Sequence, residues 1–403
     1  MQNILNTKQF SGKIVRLDFV IPYSEENRAY ICFLSDLLQL SCQKYPTTYD
    51  LMKTMENLYD TAIDFKVVVQ GDNLILRANL LYLNILNPDE ELVCVELLKE
   101  IIIKPNLINN EWNKEDFDYV KDHINHEYKM YEDNHKRYAY HEALEFFAPQ
   151  TGLGGFPYGN LKIISEITPA KIAEFHKYLL ANAQIQYFGM GDFSDNFKQK
   201  IKSIFDIKMK KITPVWCNLK LNEKFQNKTR ALKNKQAILH LSFKISDMTE
   251  YEARYVSPVF NDLFGGSVGT GKLFNKVREE NGYAYYVYSK SIAFTNLMMV
   301  VVGTKNKSID DVIRLVKEAL KEIQTGEINE EFIKQIIEVY IKEIDAMYDN
   351  PKQLFIHFIK EYNGIDDSVD QQKEKFKQIT KSQVIQFAKK IKMDAKYVLA
   401  GED

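Results

Sequence analysis

Side chains of the types that do chemistry gather at a few places in this chain. His123-Ile-Asn-His126-Glu127 sets two imidazoles at i and i+3 of a helical stretch, next to a carboxylate, a spacing from which one metal ion is reachable. His135 and His141-Glu142 follow on the same polar helix, so incidental surface histidines account for the pattern better. Cys32 has no histidine near it in sequence to activate the thiol and reads as a small buried apolar residue. Gly266-Ser-Val-Gly-Thr-Gly271-Lys272 fits the G-x-x-x-x-G-K of a phosphate loop, but the next position is Leu273, without the hydroxyl that binds magnesium. The apolar residues of 250–264 recur at helical spacing where a phosphate loop needs a buried strand. Nucleotide binding is therefore the weaker reading of that glycine cluster.

The same cluster opens a longer stretch, 264–285. Gly265, Gly266, Gly269 and Gly271 precede a short amphipathic helix, an Asn-Gly turn and an aromatic strand. Gly265-Gly266, Leu273-Phe274, Val277-Arg278-Glu279, Gly282 and Ala284-Tyr285 fill a pattern close to G-G-x-x-S-x-L-F-x-x-V-R-E-x-x-G-L-A-Y. The serine of that pattern is replaced near Gly271 or Lys272, and its second leucine by Tyr283. On these residues the chain resembles the pitrilysin (insulinase) family of zinc peptidases, which includes the mitochondrial processing peptidases. The resemblance implies that Arg278 and Tyr285 bind substrate backbone, with Gly265 and Gly266 in the wall beside them.

An active member of that family carries H-x-x-E-H on its first helix and a further glutamate on a later one, giving three protein ligands and one open position on the metal. Counted back from Tyr45-Pro46, the motif falls near Cys32-Phe-Leu-Ser-Asp36, and no histidine precedes His123. Glu127 is the one ligand position still placed by the resemblance, and a single carboxylate cannot hold a catalytic zinc. The resemblance thus implies a non-zinc-binding subunit: no metal or cofactor in this chain, zinc in a partner of the same family, and a peptide substrate held by Arg278 and Tyr285. Small paired bacterial members are associated with peptide maturation. The alternative is a catalytically dead, homodimeric peptide-binding or scaffold protein.

Residues of these kinds need elements to carry them. The spacing predicts a strand over 13–21, helices over 25–43 and 48–59, and a hairpin over 62–69 and 73–80. Helices follow near 90–103 and from 114 past 138, then a loop over 152–159, a helix from 168 to 180 and a strand over 184–190. The lysine-rich stretch 207–235 lacks periodicity and reads as a linker. The order then recurs, with a strand over 236–245, a helix over 249–264 and a hairpin over 282–293 and 296–303. Glu127-Tyr-Lys-Met-Tyr-Glu-Asp-Asn134 is answered by Glu343-Ile-Asp-Ala-Met-Tyr-Asp-Asn350. The expected fold is α+β, with homologous half-domains at 1–206 and 236–403. Each half is a mostly antiparallel sheet covered by helices.

Composition sets the outer limits. Fifty-three basic against 55 acidic residues leave a net charge of −2, so no global field favours nucleic acid or a membrane surface. No apolar run reaches the length of a membrane span, and the N-terminus lacks the apolar segment of a signal peptide. Cys32, Cys42, Cys94 and Cys217 are scattered without a C-x-x-C, which is neither a disulfide framework nor a cysteine zinc site. A cytoplasmic protein is the expectation.

Overall fold

A computed structural model describes residues 3–195, 197–199, 201, 209–232, 236–266 and 271–401. Gly269 and parts of 207–235 lie outside the described residues. The first sheet is ordered β1-β7-β2-β4-β3 and the second β10-β11-β9-β12-β8. In the first, β1 (Ile4–Asn6) runs parallel to β7 (Gln184–Gly191), while β2 (Gly12–Pro22), β4 (Asn73–Leu83) and β3 (Ala62–Gln70) pair antiparallel. A small hairpin, β5 (Leu107–Ile108) and β6 (Glu111–Trp112), stands apart. In the second sheet, β8 (Gln226–Ala231) runs parallel to β12 (Ile391–Ala400), and β12, β9 (Ala237–Ile245), β11 (Leu297–Thr304) and β10 (Tyr286–Ser291) alternate in direction. The two orders are one topology used twice. The expected α+β repeat is therefore present, and β8, inside the stretch read as a linker, takes the place that β1 holds in the first half.

The helices have local causes. In α1 (Glu25–Leu37) the Ser24 side chain accepts from the Asn27 amide, and Glu25 and Glu26 sit in the first turn against the helix dipole. The next helix is α2 (Thr48–Asn57), and α3 (Pro88–Ile103) opens on a capping box built by Asn87 and Glu90. In chain order follow α4 (Lys114–Asp133), α5 (His135–Phe147), α6 (Leu161–Glu166) and α7 (Pro169–Asn182), the last with Thr168 as cap and proline at its first turn. The second half contributes α8 (Ser257–Gly265), α9 (Ile309–Thr325), α10 (Glu330–Ala346), α11 (Pro351–Tyr362), α12 (Val369–Lys377) and α13 (Lys381–Lys389). No helix among the described residues is long and apolar enough to cross a membrane.

Each sheet has an apolar face that makes a core. Leu17, Phe19, Leu76, Ala78 and Leu80 of the first sheet are buried, as are Phe33, Leu34 and Leu98 of the helices. Leu239, Leu241, Phe243, Val300 and Val302 pack with Val259, Phe260, Phe264 and Phe387 in the second. Strand alternation makes these one face each.

The opposite faces set the division of the chain. One compact unit comprises Met1–Tyr131, Gly155–Pro214 and Pro351–Ile365; the other comprises Glu132–Gly154, Val215–Asn350 and Asp366–Asp403. The units are thus interleaved, whereas the sequence divides at a linker into contiguous halves. Helices α5 and α11, which follow the repeated segments ending at Asn134 and Asn350, each belong to the unit of the other half.

Both exchanged helices rest on polar strand rows. Under α11, the Arg16 guanidinium lies 5.1 Å from the centre of the Phe355 ring, its Nε donates to Asn79 at 2.8 Å, and Arg77 pairs with buried Asp18 at 3.4 Å. Burial pushes the Asp18 carboxyl above the usual carboxylate range, against the pull of Arg77 and Arg16. Under α5 lies His240, fully buried between Tyr140 at 6.4 Å and Tyr397 at 6.2 Å. Neither nitrogen of the His240 ring has a hydrogen-bonding partner among the described residues, nor has the Tyr397 hydroxyl. Burial alone pushes the His240 imidazole down to about 3.

The sign follows from linkage. An unfolded histidine titrates near 6.5, so between about 6.5 and about 3 the unfolded chain binds a proton that the folded chain refuses. His240 therefore costs stability increasingly as pH falls below about 6.5. Replacing it with leucine is expected to flatten this slope, with the variant gaining on the order of 1–2 kcal/mol relative to wild type between pH 6.5 and pH 5. Urea unfolding midpoints of both chains across that range check it.

Candidate functional site

On α1, Arg28, Cys32 and Asp36 recur at i, i+4 and i+8, with Ser35 alongside, so one helical face carries the positions where the metal motif is expected. That face is occupied by a loop. Arg28 donates to the Phe156 carbonyl at 3.0 Å and to the Pro157 carbonyl at 3.3 Å. The Cys32 thiol points to the same Pro157 oxygen at 3.7 Å, and the Tyr158 hydroxyl donates to Asp36 Oδ2 at 3.0 Å. Ser35 turns back to the Cys32 carbonyl at 2.7 Å. Gly159, at φ +95°, ends the loop; a Cβ there would approach the Ala29 amide at 3.3 Å.

From the other side, α4 presents His123, whose Nε2 lies 4.0 Å from Asp36 Oδ2, and Glu127 one turn further on. Phe156 stacks on Tyr158 at 5.4 Å and meets Tyr128 edge-on at 5.1 Å, closing the region with rings. The electrostatics agree with the packing. Burial pushes the Cys32 thiol up to about 12. Burial also raises Asp36, opposed by the Tyr158 hydrogen bond and His123 and reinforced by the nearby Glu127 charge. The Tyr158 phenol is raised by burial and by Asp36.

These residues do not fit a zinc ion. The thiol is held in its protonated form, Ser35 offers no general base, and the carboxylate that stands for the second imidazole is engaged by Tyr158. Among the described residues no group of three histidine, cysteine, aspartate or glutamate side chains has metal-holding geometry. On this polar helix face His126 is exposed, and His123, its side chain 41% exposed, has its Nε2 4.0 Å from Asp36. The i, i+4 spacing of His123 and Glu127, which sets both on one helical face toward Asp36, was the signal available.

The Arg278 stretch lies in the second unit. Helix α8 ends at Gly265, where an added Cβ would run into Leu273 and the Ser289 amide, and one on Gly266 would run into Asp262. The glycines there permit close backbone packing. A wider, π-helical turn over Phe274–Glu279 carries Arg278. Gly282 at φ +65° then reverses the chain, its amide donating to the Arg278 carbonyl at 2.9 Å and that of Tyr283 to Val277 at 3.0 Å. Tyr285 is anchored by its amide to the Gly303 carbonyl at 2.8 Å and leads into β10, an edge strand. The turn holds both residues at the surface of one unit. The Arg278 side chain is 46% exposed, with its guanidinium 5.1 Å from the centre of the Phe274 ring; Tyr285 is 47% exposed. Lys272 and Lys276 both pair with Glu322, fixing the turn from beneath.

Residues 166–340 match the family model described as the peptidase M16 inactive domain. A curated relative, the probable inactive metalloprotease YmfF of Bacillus subtilis (strain 168), is 22% identical over all of this chain and 96% of its own length. Among solved structures, a conserved protein from Enterococcus faecalis V583 superposes with a TM-score of 0.90 at 22% identity, covering 99% of this chain and 96% of that one. A peptidase M16 inactive domain from Pseudomonas fluorescens gives a TM-score of 0.75 at 16% identity, covering 99% and 95%.

If the loop-holding face is what displaces metal chemistry, restoring the donors is expected to restore the affinity. The Cys32→His, Ser35→Glu, Asp36→His triple variant should bind zinc stoichiometrically through its two new imidazoles and Glu127, with the wild-type chain remaining substoichiometric. Metal analysis after dialysis against zinc, with removal by chelator, decides it.

Proposed function

From the premise that the chain is a metalloprotease-like member of the M16 family, we propose that it is the non-catalytic subunit of a two-chain peptidase. A partner of the same family would supply the metal and its chemistry. The observation that carries this reading is the unequal fate of the two motif positions. Cys32 and Asp36 are engaged with a loop and Ser35 with its own helix, whereas Arg278 and Tyr285 remain exposed on an ordered turn with polar ends available to a ligand. A solvent-facing Arg–Tyr pair at the mouth of an edge strand suits an extended peptide. The peptide would add its backbone to β10 with little demand on sequence. Arg278 would donate to its main-chain carbonyls. The Tyr285 hydroxyl would donate to the carbonyl oxygen that gains charge during cleavage.

Tagged chain recovered from its native host is expected to bring down, near-stoichiometrically, a second chain of similar length carrying H-x-x-E-H. In the reconstituted pair, Tyr285→Phe should lower kcat by about 10²-fold and Arg278→Ala should raise KM by about tenfold, with assembly unchanged. Recovery of the chain alone as a homodimer, or full activity of both variants, would overturn the reading in favour of a peptide-binding scaffold.

A further inference from the structure

The sheet face beneath α11 inverts the usual rule of polarity. Cross-strand registers place Phe188, Arg16, Asn79 and Asp64 in one row, and Gln186, Asp18, Arg77 and Lys66 in the next. Helix α11 lies over these polar rows: Phe355 meets Arg16, Tyr362 meets Phe188 at 5.3 Å, and Asn363 accepts from Gln186 at 2.8 Å. The helix begins at Pro351, so the row before them, Met190, Ile14, Leu81 and Ala62, continues beyond its end. That row is apolar. Leu81 is 47% exposed, and Leu83, next on the same face, is 42% exposed. A sheet face expected to be apolar under its cover and polar in water is here the reverse.

The uncovered corner is concave. A cavity of about 540 Å³ has Gly12, Ile14, Leu81 and Leu83 among its lining, with Phe10 and Pro351 beside them. Sites for small molecules run from about 300 to 1,000 Å³ and are mostly apolar with few polar groups. The turn at Tyr59 and Asp60 also lines it, and both residues take left-handed backbone, at φ 56° and 57°. That conformation is unfavourable for tyrosine, and it sets a ring and a carboxylate at the edge of the cavity. The Asp60 carboxylate has no hydrogen bond or ion pair among the described residues. Lys13 lines the cavity with its backbone; its side chain alternates to the other face, where it is neutralised by buried Glu91. The ionisable group left to a ligand is thus an anion.

We propose that this corner is a binding site for a small apolar molecule bearing a cationic group, an amine with an aromatic or aliphatic body. The body displaces water from Leu81, Leu83 and Ile14, and the ammonium pairs with Asp60 at the mouth. The site lies wholly within one unit and is independent of the peptidase reading.

Three matched probes test it on the full chain by titration calorimetry: phenethylamine, 2-phenylethanol and phenylacetate. Phenethylamine is expected to bind saturably with a Kd on the order of 1 mM, as its size allows. The alcohol should bind more weakly and the carboxylate weakest. Leu81→Gln with Leu83→Gln, both at exposed positions, should weaken amine binding by about tenfold or more without lowering the melting temperature. Asp60→Asn should bring the amine to the level of the alcohol. No saturable binding of any probe, or binding that survives the leucine pair, overturns the site. Equal affinity for all three probes in the wild-type chain overturns the cationic class.

Discussion

A β-sheet has two faces, and the arrangement of this protein depends on how each second face is closed. The first face of each sheet is built from its own half of the chain and obeys simple patterning, apolar strand positions under apolar helix faces. The second face is closed by a single helix drawn from the other half, α11 on the first sheet and α5 on the second. One helix cannot cover a five-stranded sheet, so the rows beside it meet water at Leu81 and Leu83, and polar groups buried beneath it, such as Asp18 and His240, must find partners or remain costly. The Arg16, Asn79 and Asp64 ladder finds them; among the described residues the His240 ring and the Tyr397 hydroxyl find no hydrogen-bonding partner.

The same economy of partners explains the face of α1. A helix side bearing Arg28, Cys32 and Asp36 is too polar to bury against hydrocarbon, and it is satisfied by three consecutive loop residues, Phe156, Pro157 and Tyr158. Raised carboxyl and thiol groups are consequences of that closure, because burial disfavours the charged form wherever the compensating bonds are few. Perturbed ionisation here marks a filled structural junction and does not require catalysis.

Much of this was legible in the residues, and the remainder was hidden for identifiable reasons. Strand alternation and the repeated Glu127 and Glu343 segments disclose two similar α+β halves, since both signals are local. An amphipathic helix reveals that one side is covered but never by what, so the exchange of α5 and α11 leaves no trace in their periodicity. β8 was concealed because all its residues are exposed and all but Ala231 are polar; its existence rests on pairing along one edge with β12. The π-helical turn at Phe274–Glu279 reads as an ordinary amphipathic helix, because widening a turn by one residue barely alters which side chains are apolar. Asp36 meets His123 and Tyr158 only because three separate segments converge, and no spacing rule reports a contact of that range.

The two motif positions therefore differ in how tightly they are bound to the fold. Changes at Cys32 or Asp36 reach a loop, a buried carboxylate and a ring cluster together, so their effects are coupled to one another. Arg278 stands on the opposite footing. Its guanidinium is steadied by the Phe274 ring and by Glu279 at 3.9 Å, contacts of small worth at an exposed site. Tyr285 is tied down through its backbone while its side chain stays half in water. Little folding energy is invested in either side chain, and a surface that orders an arginine and a tyrosine without using them for packing leaves them free to spend their hydrogen bonds on something else.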